Sequence, residues 1–255
     1  MDTKTTPASA AAGVTSAPHL PDGDGERFTG YGVLGLAFDS GQYLALRVMT
    51  ATTIGPAYRA VWHRDSAGSW HMYTTAPPDL SCPRFFSAAA THERVPEIVL
   101  SWASAVRLRV QMPGMLDWDI RLRPTPATRM MSALGTALPD AARRSDALLG
   151  VMGPMARSMM RAGRMRLVGV APNRQRFQVV PTRVWRVDGS TAVLNGTDFG
   201  APRGLDVQSR LGDFWMPQRG LFYVGDARFE TFDAGRHLDV ADAEAARSGV
   251  GHPIG

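Results

Sequence analysis

The chain has 255 residues, a net charge of +5 and the apolar share of an ordinary globular protein. Lys4 is its only lysine and Cys82 its only cysteine. Those counts exclude a Schiff-base or phosphate-loop lysine in the folded body, an intrachain disulfide and a Cys-based zinc site.

The arginines are scattered, so the basic balance gives no nucleic-acid footprint. Nothing in the residues calls for a metal or a cofactor. No apolar run is long enough to span a bilayer, and the N-terminus lacks the basic-then-apolar pattern of a secretory signal. The expected location is cytoplasmic.

Residues 1–26 are small and polar without periodicity, which predicts a disordered tail. Residues 27–232 read as one β domain with a helical insert at 126–163, and 233–255 as a C-terminal tail. Strands are predicted at Phe28–Phe38 and Gln42–Thr50. In WHRDSAGSWH, Asp65-Ser66-Ala67-Gly68 is turn chemistry. A loop of those residues opposes His63 with Trp70 and Trp62 with His71, placing His63 and His71 on opposite sides. Val106–Gln111 and Asp117–Arg123 alternate, as an antiparallel sheet with one wet face does. The neighbouring carboxylates Asp117 and Asp119 then belong to a solvated charge ladder rather than a catalytic pair.

The insert is Met-rich. Met130, Met131, Leu134, Ala137 and Leu138 share one helical face, and Pro139 ends that helix. Leu148, Met152, Met155 and Met159 recur at helical spacing in a second. Such a stripe is either core or a lid over a variable apolar cavity, because methionine adapts to varied shapes. A third reading lays it on a membrane surface, with arginines at the headgroups. Gly150, Gly153 and Pro154 weaken the helix and leave room only for transient membrane contact.

Strands resume at Arg164–Val170. Turns are predicted at Pro172-Asn173, Asp188-Gly189 and Asn195-Gly196, a closing strand at Gly220–Phe232, and a short helix near Ala241–Arg247. A meander this long manages its edges by closing, so the expected fold is mainly β, an antiparallel β-barrel with a helical insert.

The motifs WHRD-x4-W, SCPRFF, PN-x-Q-x-F, the Trp185 strand and LGDF-x2-PQRGLF resemble a group of bacterial proteins near the lipocalin-like barrels, which include carotenoid hydratases and AttH-type proteins. The resemblance implies an apolar cavity and, in the hydratases, water addition to an alkene. No catalytic acid here can be matched to theirs, so the activity is not carried over.

The aromatic residues predict a cavity for an apolar small molecule: a polyene, terpenoid or acyl chain. Candidate ligand-binding residues are Trp62, Tyr73, Arg84, Phe86, Met152, Met155, Met159, Trp185, Arg219 and Tyr223. A hydratase, isomerase or cyclase using His71 or Asp213 as acid is one rival; an interaction domain without ligand is another. Asp213 among aromatics needs a partner, Arg84 or Arg219. Cys82 reads as a small core residue.

Overall fold

The computed structural model describes residues 5–137, 139, 142, 145–151, 160 and 162–249. Helix α1 (Pro7–Ser16) comes first, then strands β1 (Glu26–Ala37), β2 (Tyr43–Thr52), β3 (Tyr58–Arg64) and β4 (Trp70–Thr74). Helix α2 (Pro83–Phe86) is a single turn, followed by β5 (Thr91–Arg94), β6 (Val99–Ser104), β7 (Arg107–Met112) and β8 (Leu116–Arg123). Helix α3 (Pro126–Ala137) opens the insert at 126–163. Strands β9 (Val168–Val170), β10 (Arg176–Leu194), β11 (Thr197–Asp198), β12 (Arg210–Leu211), β13 (Phe214–Trp215) and β14 (Leu221–Phe229) precede helix α4 (Val240–Gly249).

One large sheet runs β5-β4-β3-β2-β1-β14-β10-β8-β7-β6, with β9 and β11 paired to β10. All its pairs are antiparallel except β4 with β5. The fold is mainly β, but the expected barrel is corrected: β5 and β6 are unjoined ends, so the sheet is open. A sheet of this length can instead curl and pack on itself. Val33, Leu46, Val61 and Phe222 from one half do so against Leu108, Trp118 and Ile120 from the other. The opposite face carries a second core under loops and helices, with Phe28, Trp62, Phe86, Phe177 and Phe229 at its centre.

The alternation expected along β7 and β8 is present, with Leu108, Val110, Trp118, Ile120 and Leu122 buried. On the wet face Arg107 pairs with Asp119 at 3.0 Å and Arg109 with Asp117, which makes the carboxylates a ladder. Asn195 and Gly196, at φ 50 and 77, form the tight turn between β10 and β11. The helix expected near Ala241–Arg247 is α4.

Several expectations are corrected. The disordered tail instead holds α1, started by Thr6: Thr6 Oγ1 accepts from Ser9 N at 3.1 Å, and Thr6 N donates to Ser9 Oγ at 3.0 Å. Ala11 on α1 is buried against the sheet's inner core. The Asp188-Gly189 turn is a bulge within β10, because β10 stays paired with β8 on both sides of it, Val187 with Leu122 and Gly189 with Arg121. In α3 the buried positions are Thr128, Met131 and Gly135, while Met130 is 48% exposed and Leu134 38%. The helix rotates this way because Gly135 lets its backbone meet β10: a Cβ there would lie 2.6 Å from the Pro181 carbonyl oxygen.

Candidate functional site

The features that converge lie on the loop-covered face of β1, β2, β3 and β14. A small cavity of about 40 Å³ sits there, walled by Trp62, Phe86, Phe214, Tyr223 and Phe229, with Met49 and Cys82 beside them. Larger hollows exist, about 410 Å³ at the Met112–Leu116 turn and about 550 Å³ beside Arg186 and Arg219. Both are more open surface clefts without a buried aromatic wall, so the small, aromatic-walled cavity is the better candidate.

Local sequence builds it in two steps. Strand periodicity sends Trp62 of β3 and Tyr223 of β14 to the same face. The roof is α2, where Pro83 starts a single turn that sets Phe85 and Phe86 over the sheet. Phe85 stacks on Phe229 at 3.7 Å between ring centroids, and Phe86 lies 4.6 Å from Trp62. Arg84 on the same turn faces away. It forks onto Glu26 with contacts of 2.6 to 3.1 Å and lies 4.9 Å from the Phe232 ring.

At the centre is Arg47, which sequence reasoning did not single out. It is 3% exposed, in the middle of β2. Its cross-strand neighbours are Ala60 and Gly32, and beyond Gly32 stands Tyr223. Small residues on both sides let the guanidinium lie over the sheet. It donates to the carbonyls of Val33 (2.7 Å), Leu46 (2.9 Å) and Leu34 (3.3 Å). The β1–β2 register slips between Val33 and Leu36, which frees carbonyls from the ladder. Trp62 lies 4.5 Å away as a cation–π partner. An arginine inside an apolar strand was the available signal.

The other polar groups are neutral. Burial pushes the Tyr58 and Tyr223 hydroxyls up, with Arg47 a smaller opposing influence. Burial likewise raises the Cys82 thiol, whose Sγ is 3.3 Å from the Tyr58 hydroxyl. Cys82 is thus a buried thiol rather than an activated thiolate. Trp62 Nε1 is buried near that sulfur but reaches no hydrogen-bond partner.

Of the residues picked from sequence, Trp62, Phe86 and Tyr223 meet in this cavity. Trp185 does not: it is buried in the sheet's inner core against Phe222. Tyr73 packs on that inner core too. Arg84 belongs to the Glu26 pair and Arg219 to the cleft beside Arg186. Asp213 pairs with Arg166 at 2.7 Å, not with Arg84 or Arg219.

His71 bonds Thr91 through Nδ1 at 2.8 Å and is outside the cavity. It is paired directly with His63, contrary to the predicted register. Asp65 Oδ1 accepts from Ser69 N at 2.8 Å, which draws Ser69 into the loop and shifts the pairing by one. Even so, no three potential metal ligands cluster among the described residues.

Met152, Met155 and Met159 lie outside the described residues. The Met-rich lid is corrected all the same. Met131, Leu149 and Met160 are packed in the core, and no described residue of 126–163 lines the cavity. Among the described residues no helix is long and apolar enough to cross a membrane.

No family model and no curated protein matches the chain. A solved structure that matches is an acetoacetate decarboxylase from Legionella pneumophila, 10% identical, with a TM-score of 0.39 over 84% of this chain and 90% of that one. A likeness this slight transfers nothing. The resemblance to lipocalin-like barrels is overturned by the fold itself, because the sheet is open rather than closed into a barrel, and no family model or curated protein supports it. The alkene hydration implied by that resemblance falls with it.

Proposed function

We propose that the Trp62 cavity binds an apolar small molecule: a ring system, or the end of a polyene, terpenoid or acyl chain. The observation behind this reading is the convergence of Trp62, Phe86, Phe214 and Phe229 on a single, partly enclosed space. The resting volume of about 40 Å³ is well below the roughly 150 Å³ that accommodates a benzene ring. Binding therefore requires the wall to give. Met49 is the unbranched side chain suited to that, and the one-turn roof at Pro83–Phe86 is short enough to move. His71 and Asp213 stand outside the cavity, so nothing supports the catalytic alternative built on them.

Native mass spectrometry of gently purified protein, followed by titration with naphthalene, retinol and decanol, tests this. Saturable binding of at least one is expected. Phe86→Ala, which removes part of the roof, should admit larger members of the panel. If neither the wild type nor Phe86→Ala binds any of them, the space is packing and the reading is abandoned.

A further inference from the structure

We infer that the occupant of this cavity carries a carboxylate, held by Arg47; the inference rests on the binding reading above and names its ligand class. Arg47 has five N–H donors, and three are taken by the Val33, Leu34 and Leu46 carbonyls. That leaves two. All three acceptors are neutral, and no carboxylate pairs with Arg47 among the described residues. A lone charge in apolar surroundings is costly, and proteins normally pair it. The rings of Trp62, Phe214 and Tyr223, at 4.5, 5.7 and 5.9 Å, soften that cost without supplying a counter-ion.

The surrounding groups add donors rather than acceptors. Trp62 Nε1 is buried with only the Cys82 sulfur, a weak acceptor, beside it, and the Tyr223 hydroxyl is kept protonated by its burial. An anion complements such a site; a neutral apolar molecule leaves the charge and both donors unanswered. One cation matches a monoanion, and an arginine's fork suits two carboxylate oxygens. A cavity of about 40 Å³ has room for a group of that size, roughly two or three waters. The apolar body of the acid then lies against the rings that give way. The ligand class is an apolar monocarboxylic acid, aryl or short acyl.

The competing explanation is that Arg47 serves only the carbonyls freed by the β1 bulge. Titration calorimetry with benzoate, cinnamate and octanoate, each against its primary amide, separates the two. Each amide keeps the shape and loses the charge. On the wild type, at least one acid should bind tenfold or more tighter than its amide. Arg47→Gln should erase that preference while amide binding persists. The acid-to-amide ratio on the wild type stands even where Arg47→Gln fails to fold. Equal binding of acids and amides would overturn the carboxylate inference and leave the apolar reading intact. No binding by either series would overturn the carboxylate inference, and the naphthalene, retinol and decanol titrations then decide the apolar reading separately.

Discussion

At the level of single residues, His63 couples stability to pH. It is buried between His71 and Phe199, with Nε2 2.5 Å from Gln42 Oε1, and its pKa is lowered to about 4 by burial first and His71 second. An unfolded histidine titrates near 6.5, so the unfolded state takes up the proton first. Stability is therefore complete above about pH 6.5 and falls toward pH 4, by about 2 kcal/mol at pH 5 from this group alone. Urea unfolding at pH 7 and pH 5 checks this. His63→Gln should lose less between those pH values than the wild type, and an equal loss would assign the acid sensitivity elsewhere. The Glu26–Arg84 fork, which Gln175 also joins at 3.2 Å, is a second test. Arg84→Met leaves a mostly buried carboxylate unpaired, at a cost of about 3 kcal/mol. Adding Glu26→Gln should recover part of that, because the lone charge goes too.

Among the elements, α3 shows how a glycine decides docking. Its Gly135 sits against the Pro181 and Thr182 carbonyls, and Ser132 Oγ accepts from Val184 N at 2.9 Å. Gly135→Ala should destabilise by about 1–3 kcal/mol, since the helix must lift off β10. Gly13 in α1 is the contrast: a Cβ there meets nothing within 4 Å. Gly13→Ala should stabilise by up to about 1 kcal/mol through helix propensity. Thermal melts of both variants settle the pair, and a stabilised Gly135→Ala would mean that α3 is loosely seated.

Over the whole molecule, what was legible follows local chemistry. The Asn195-Gly196 turn and the Arg107–Asp119 ladder depend on near neighbours, and both are where the residues put them. The α1 cap was equally local, Thr6 to Ser9, but the composition of the segment hid it. Closure was not legible: whether β5 meets β6 depends on sheet curvature, which no motif encodes. The cavity was half legible. Trp62, Phe86 and Tyr223 declare themselves as aromatics on strands or beside them. Arg47 becomes visible only when Gly32 and Ala60 are set beside it, through register, and when a bulge gives its guanidinium carbonyls to hold.

The centre of the sheet pairs strands from opposite ends of the chain: Glu26 of β1 lies against Phe229 of β14. During synthesis the β2–β4 meander and the β6–β8 meander leave the ribosome early, yet β14, which joins β1 to β10, leaves late. For most of translation the two halves share no seam and their inner apolar faces have no partner. Assembly is therefore a late event, slowed by the long loop that must close before the seam rewards it. A nascent chain arrested before Leu221 should be protease-sensitive and bound by chaperones. Release of the strand through Phe229 should convert it, in one cooperative step, into a resistant species.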